Sequence, residues 1–310
     1  MTLRIRVLGA AAGGGFPQWN SNNEACHRAR AGDAAARPAT QASLAVSADG
    51  ERWSLLNASP DLRQQIEAAP MLHPRSRLRD SPICAVVLTN GDVDAIAGLL
   101  SLRERQPFAL YATGRVLAML ADNPIFEVLA PDMVERRRLS LDQPTVLRER
   151  EGEPLGVTVE AFPVPGKVPL YLERREPRLD AARLGEETAG LQVSDEAGRS
   201  FFFIPSCAEV TRALADRLTR AELVFFDGTL WRDDEMIREG SGAKTGRRMG
   251  HMSASGETGT IAAFADLAVK RKVFLHINNS NPLLLADSPE RAAAASAGWE
   301  VAADGMEMAL

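Results

Sequence analysis

The chain has 310 residues, 45% of them apolar, enough to fill the core of one large α/β domain or two modest ones. Its net charge of -5, from 36 basic and 41 acidic residues, excludes a general nucleic-acid binder, which carries a basic surplus. Cys26, Cys84 and Cys207 are scattered and odd in number, which argues for a reducing, cytoplasmic compartment, and no apolar run approaches the roughly 20 residues that cross a bilayer.

In chain order, Arg4 and Arg6 alternate with Leu3, Ile5 and Val7, so residues 3–8 read as a strand and not as a secretory apolar core. Residues 9–15 are glycine and alanine, a turn that lets backbone approach something closely. The Lys-Ser/Thr of a phosphate-binding loop is missing, and the irregular Phe16-Pro17-Gln18-Trp19-Asn20 follows instead of a helix, so nucleotide binding is not expected here. Residues 43–46 and 53–57 alternate around Asp49-Gly50, a hairpin signal. Ser59 as N-cap and Pro60 at the first position predict a helix over 62–69.

Residues 83–88 are continuously apolar, as in a strand buried on both faces. The chain then breaks into Thr89-Asn90-Gly91-Asp92-Val93-Asp94, and Ile96, Leu99, Leu100 and Leu102 resume at helical spacing. Strand, acidic loop and helix place Asp92 and Asp94 where open α/β sheets hold ligands. At i and i+2 of an extended loop, the two carboxylates project to one side and can converge on one point. Either one alone is equally a helix N-cap.

Further on, 108–111 reads as a strand, 113–120 as a helix, 131–154 as a short helix with edge hairpins, and 157–164 as a strand leading into a proline-rich loop. Residues 173–188 are strongly charged, either a flap over a site or a solvated loop. A hairpin over 191–204, a helix over 209–218 and an apolar strand over 223–226 lead to Asp227. His251 precedes a helix predicted over 256–269, and His276 ends a strand over 272–275. A helix over 289–297 and a strand over 299–302 follow. With no Gly/Ser linker and no internal repeat, 1–310 is expected to be one layered domain.

Asp92, Asp94, Asp227, His251 and His276 thus fall at strand ends or element boundaries. Carboxylates with imidazoles suit zinc, manganese or Fe(II) and offer no soft thiolate.

Asn90-Gly91-Asp92-Val93-Asp94-Ala95 resembles the His-x-His-x-Asp-His loop of the metallo-β-lactamase fold. The stretches 226–230, 250–253 and 275–278 are similar to the C-terminal half of the tRNase Z and phosphodiesterase branch. More specifically, GAAAGGGFPQWN (9–20), NASPDLR (57–63), DGTLWRDDEM (227–236), KTGRRMGHMSASG (244–256) and HINNSNP (276–282) resemble the pyrroloquinoline quinone biosynthesis protein B family over nearly the whole chain. The resemblance implies an α/β fold, a four-layered αβ/βα sandwich of the metallo-β-lactamase type, and a role in making that redox cofactor. It leaves two roles open. One is an iron-dependent oxygenase that hydroxylates the tyrosine ring of the cross-linked Glu-Tyr intermediate; the other is a carrier of the quinone or its precursor toward the periplasm.

Departures from the superfamily pattern sharpen the expectation. Asn90, Asp92 and Ala95 replace three histidines, Ser206 falls where hydrolases keep a bridging carboxylate, and 163–167 offers no histidine. Two metals clamped roughly 3.5 to 4 Å apart lose most of their ligands, so hydrolysis is not expected. One metal, Fe(II) or alternatively zinc, is implied on Asp92, Asp94 and His276, with Asp227 and His251 as catalytic or orienting groups. Family members carry several cysteines near Cys26; here only Cys26 and His27 remain, so a structural zinc is expected to be lost, with the segment either held by packing of Phe16 and Trp19 or disordered. The implied partners are a small diamino-acid or quinone precursor and O2, with no nucleic acid, no membrane insertion and room for a homodimer.

Overall fold

The computed structural model describes residues 2–173 and 183–310. In chain order the strands are β1 (Arg4–Gly9), β2 (Ser43–Ser47), β3 (Trp53–Leu56), β4 (Ile83–Val87), β5 (Phe108–Thr113), β6 (Val134–Leu139), β7 (Pro144–Arg148), β8 (Pro154–Pro163), β9 (Ala189–Asp195), β10 (Ser200–Ile204), β11 (Leu223–Asp227), β12 (Arg271–Leu275), β13 (Trp299–Val301) and β14 (Glu307–Ala309). They build two seven-stranded sheets, ordered β14-β1-β2-β3-β4-β5-β6 and β13-β12-β11-β10-β9-β8-β7. Each sheet is half antiparallel and half parallel: β3 to β6 run parallel in the first, β10 to β13 in the second.

The alternation of side chains along each strand explains the layering. Leu44 and Val46 of β2 and Phe201, Phe203 and Phe225 of β10 and β11 point between the sheets into one core. Their neighbours Ala45, Val224, Phe202 and Phe226 point outward, beneath helices, into two further cores. Both faces of each sheet are therefore buried, which is why 83–88 and 223–226 read as unbroken apolar runs. Truncating a fully buried phenylalanine such as Phe225 to alanine would cost about 3–5 kcal/mol. The order helix, sheet, sheet, helix is the four-layered sandwich.

Several local expectations are corrected. The helix Leu62–Glu67 has Asp61 at its N-cap with no side-chain cap bond, while the Ser59 hydroxyl bonds the Gln65 side chain at 3.1 Å. The helix predicted over 256–269 shrinks to Thr260–Ala263. Gly256 takes a left-handed φ of +90°, and Gly259 sits so close to the Ser255 backbone that no longer run of α-helix starts there. The stretch 131–154 holds no α-helix; its strands β6 and β7 lie on the edges of different sheets, and the chain crosses between them. β14, too short and too polar to read from the sequence, pairs antiparallel with β1. No helix among the described residues is long and apolar enough to cross a membrane.

Candidate metal centre

The parallel halves of the two sheets aim the carboxyl ends of β4, β11 and β12 at one place. After β4, the side chain of Asn90 accepts the Asp92 amide at 3.0 Å, and Asp92 takes the N-cap position of the short helix Val93–Ile96. Its carboxylate makes no capping bond, so the bland role that its position suggested is not the one it plays. Asp94, two residues on, meets His276 across the interface between the sheets, with Oδ2 2.8 Å from Nε2.

Asp227 ends β11 with a fully buried carboxylate. Oδ2 accepts the Cys207 amide at 2.9 Å and His251 Nδ1 at 2.7 Å; Oδ1 accepts the Thr229 amide at 3.0 Å and lies 2.7 Å from the Thr229 hydroxyl. His276, just beyond β12, is held at φ 59°, a left-handed conformation that histidine adopts at a strain cost. Thr229 joins the two imidazoles: its Oγ1 is 2.8 Å from His276 Nδ1 and 3.1 Å from His251 Nδ1. The rings stack with centroids 5.2 Å apart and planes inclined by 19°. A continuous chain of polar contacts thus runs Asp94, His276, Thr229, Asp227, His251.

Charge is unequally shared in this cluster. Burial, together with the nearby charge of Asp94, pushes the Asp92 carboxyl up to about 7. Burial also opposes the charge on Asp94, but the hydrogen bond and charge of His276 and the charge of His251 hold it below the usual carboxylate range. For His251, burial lowers and Asp227 raises; Asp227, by charge and hydrogen bond, prevails.

The five residues expected at the site are distributed as follows. Ligand atoms of Asp227, His251 and His276 all lie within 4.8 Å of one another. Asp94 joins them through His276, whereas Asp92 stands outside that set and reaches His276 and Asp94 through charge alone. A small pocket is lined by Asn57, Asn90, Asp94, Ala95, Ser206 and His276. Three of these, Asn90, Ala95 and Ser206, are the positions where the superfamily pattern expects metal ligands, and none of the three brings an imidazole or a carboxylate to the pocket.

Thr229 and Asn57 were not singled out from the sequence. Thr229 was recoverable as the hydroxyl two residues after Asp227. Asn57, at φ 62°, contacts Thr89 three times, through Nδ2 to Oγ1 at 3.0 Å and through Oδ1 from the amide at 2.9 Å and the hydroxyl at 3.1 Å, and so braces the acidic loop. Its role had no local signal.

The segment around Cys26 does not offer the donors of a closed zinc site. The buried Cys26 Sγ lies 3.8 Å from Asn279 Oδ1; Asn23 Nδ2 bonds that same oxygen at 3.2 Å, and Asn279 Nδ2 bonds Gln18 Oε1 at 2.6 Å. His27 is exposed. Amides tie this segment to the loop after His276. Phe16 is buried, but Trp19 is 86% exposed, a correction to the alternative in which both rings hold the segment by packing. Most of the charged stretch 173–188 expected as a flap, residues 174–182, lies outside the described residues.

The model of the beta-lactamase superfamily domain matches residues 52–277. The chain is a member of the metallo-β-lactamase superfamily, and the fold is shared with a diphosphatase of the PhnP family at TM-score 0.69 and 19% identity, covering 100% of this chain and 98% of that one. Coenzyme PQQ synthesis protein B from Gluconacetobacter diazotrophicus is 61% identical over 308 residues, 99% of each chain. The protein of that name from Xanthomonas euvesicatoria is 56% identical over 308 residues, 99% of this chain and 100% of the relative. The 1.98 Å crystal structure of Zn(2+)-bound PqqB from Methylobacterium extorquens superposes with TM-score 0.94 at 52% identity, covering 99% of this chain and 100% of that one. The chain belongs to the coenzyme PQQ synthesis protein B family.

Proposed function

We propose that the chain acts in pyrroloquinoline quinone biosynthesis as a mononuclear Fe(II)-dependent hydroxylase of the tyrosine ring of the cross-linked Glu-Tyr intermediate. The observation that carries this reading is the meeting of Asp94, Asp227 and His276, from beyond β4, β11 and β12, with His251, which follows the short helix Gly246–Met249. The donor set fits a metal. Asp227 and Thr229 engage Nδ1 of the two imidazoles, and Nε2 of His276 pairs with Asp94 Oδ2, a contact that a metal held by both groups would replace. Two imidazoles and one carboxylate are the ligand set of non-haem Fe(II) oxygenases. Zinc, named for the relative from Methylobacterium extorquens, suits the same donors.

A bound iron would supply activation of O2. The chain's own residues do the rest. Asp227 fixes the tautomer and plane of His251 by accepting its Nδ1 proton. Thr229 sets the plane of His276, so that neither ring must reorganise on binding. Asp92, with its carboxyl near 7, takes and returns a proton at neutral pH and is the residue suited to accept the one lost from the ring carbon. Asn90, Ala95 and Ser206 supply neither imidazole nor carboxylate to a second metal, which argues against hydrolysis.

The test is O2 uptake by the iron-loaded protein supplied with a chemical reductant, which provides the two electrons that reduce the second oxygen atom to water. Uptake that depends on the diamino-acid substrate, and that falls about a hundredfold or more in Asp94→Ala and His276→Ala, is expected; undiminished turnover in both variants would overturn the assignment. The carrier reading draws on one observation, that the polar chain from Asp94 to His251 is satisfied within the protein. Metal-free protein that binds the quinone at micromolar concentration by equilibrium dialysis, with no O2 uptake when iron-loaded, would favour it.

A further inference from the structure

The metal centre is rich in carboxylates, with Asp92, Asp94 and Asp227 close together. A substrate that itself carries carboxylates is repelled from such a place unless cations receive them at its mouth. One ammonium group, that of Lys167, stands beside the centre, and a second, that of Lys244, is tied to it through Glu173. Lys167 follows β8 and lays its side chain against Gly250, where a Cβ would come within 3.1 Å of the Lys167 Cγ; Gly250 precedes His251 directly. The charge of Lys167 is felt by both Asp92 and His251. The same loop covers the acidic loop from above: the Tyr171 hydroxyl donates to the Gly91 carbonyl at 2.9 Å, and Pro169 packs over Gly91. Lys167 thus sits between the two halves of the centre.

Glu173 bridges this lysine to a second one. One of its oxygens pairs with Lys167 Nζ and the other lies 3.0 Å from Lys244 Nζ. The Lys167 and Glu173 side chains are only 15% and 18% exposed, so this is not a solvated surface pair. The two lysines hold the Glu173 carboxyl below the usual range against the opposing effect of its burial. A carboxylate with one oxygen on each of two ammoniums is what a carboxylate-binding site looks like when full, and here the chain fills it from within.

We propose that Lys167 and Lys244 form the subsite for a carboxylate of the substrate, and that Glu173 occupies it as an internal stand-in that the substrate carboxylate displaces. This deepens the reading of the centre as one that acts on a diamino-acid precursor of the quinone, and rests on it. The ligand class is an aromatic or quinonoid polycarboxylate. Because Glu173 competes for the same two cations, removing its charge strengthens binding, the opposite of what loss of a structural ion pair does.

The probe is pyrroloquinoline quinone, a tricarboxylate, titrated calorimetrically into the metal-replete full-length protein, with its trimethyl ester as the uncharged control. Glu173→Gln is expected to tighten binding of the free acid about tenfold, and Lys167→Gln and Lys244→Gln each to weaken it about tenfold, with binding of the ester unchanged throughout. Binding of the free acid by Glu173→Gln that equals or falls below that of the wild type would overturn the proposal, as would failure of both proteins to bind it. Equal shifts for acid and ester would also overturn it, since they would report altered structure and not a carboxylate contact. O2 uptake by the wild type is read separately, so the subsite can fail while the hydroxylase reading stands, and the reverse.

Discussion

The two halves of the site are built from the same topological material and have ended in different chemical states. The loop after β4 in the first sheet keeps carboxylates, Asp92 and Asp94, but carries Asn90 and Ala95 where imidazoles are expected, and one of its acids has been pushed up to about 7. The loops after β11 and β12 in the second sheet keep both imidazoles and lock them with Asp227 and Thr229. The first half has a braced backbone but an Asp92 carboxyl that makes no capping bond and has spare proton capacity; in the second, both imidazoles are fixed by hydrogen bonds. The difference teaches that losing ligands from a two-metal site need not empty it. What remains divides into two braced imidazoles and a titratable acid beside them, the division that the proposed single-metal chemistry with proton transfer requires.

The comparison breaks most sharply at His276, the residue shared by both halves. His276→Ala is expected to lose metal, by elemental analysis of the purified protein, and about a hundredfold or more of the O2 uptake. Asp227→Asn acts on the rigid half alone. It is expected to reduce metal affinity or turnover about 10- to 100-fold in a protein that still folds, because an amide cannot fix the His251 plane in the same protonation state. If Asp227→Asn leaves affinity unchanged, the rigid half is no platform.

The titratable half is tested by pH. The folded Asp92 carboxyl is raised above its unfolded value, so the folded state binds the proton more tightly. Stability of the metal-free protein is therefore expected to fall as pH rises from about 4 to about 7, through the two values, and then to level off. Asp92→Asn should flatten that slope and raise the melting temperature at pH 8; an unaltered slope in the variant would assign it elsewhere. The smallest effect is expected at the periphery: Asn279→Ala leaves Gln18, Asn23 and Cys26 without their shared partner and should cost about 1–3 kcal/mol by urea unfolding, with metal content at the centre unchanged.

Much of this division was legible in the sequence because it lies at the ends of strongly patterned strands. Apolar runs such as 83–88 and 223–226 announce strands buried on both faces, and the polar residues that terminate them are conspicuous by contrast. That is how Asp92, Asp94, Asp227 and His276 could be singled out. Pairing was a different matter. That Asp94 meets His276, 182 positions away, follows from how the two sheets pack, and no local pattern encodes it. Thr229 is legible as a hydroxyl two residues after Asp227, but that it joins both rings is not. Lys167 was passed over because its proline-rich surroundings read only as a rigid connection. The helix predicted over 256–269 failed for a local reason, since the periodicity was apolar enough but Gly256 and Gly259 had already committed the backbone elsewhere.

The short strand β14 has a consequence for handling the molecule. By pairing with β1 it covers backbone donors and acceptors that would otherwise lie bare along the rim of the first sheet. A version cut after Ala302 would keep its whole ligand cluster yet display an unmatched ribbon, ready to recruit a ribbon from a neighbouring molecule. Clumping, seen by light scattering before any change in metal content, is the failure such a shortened chain should show.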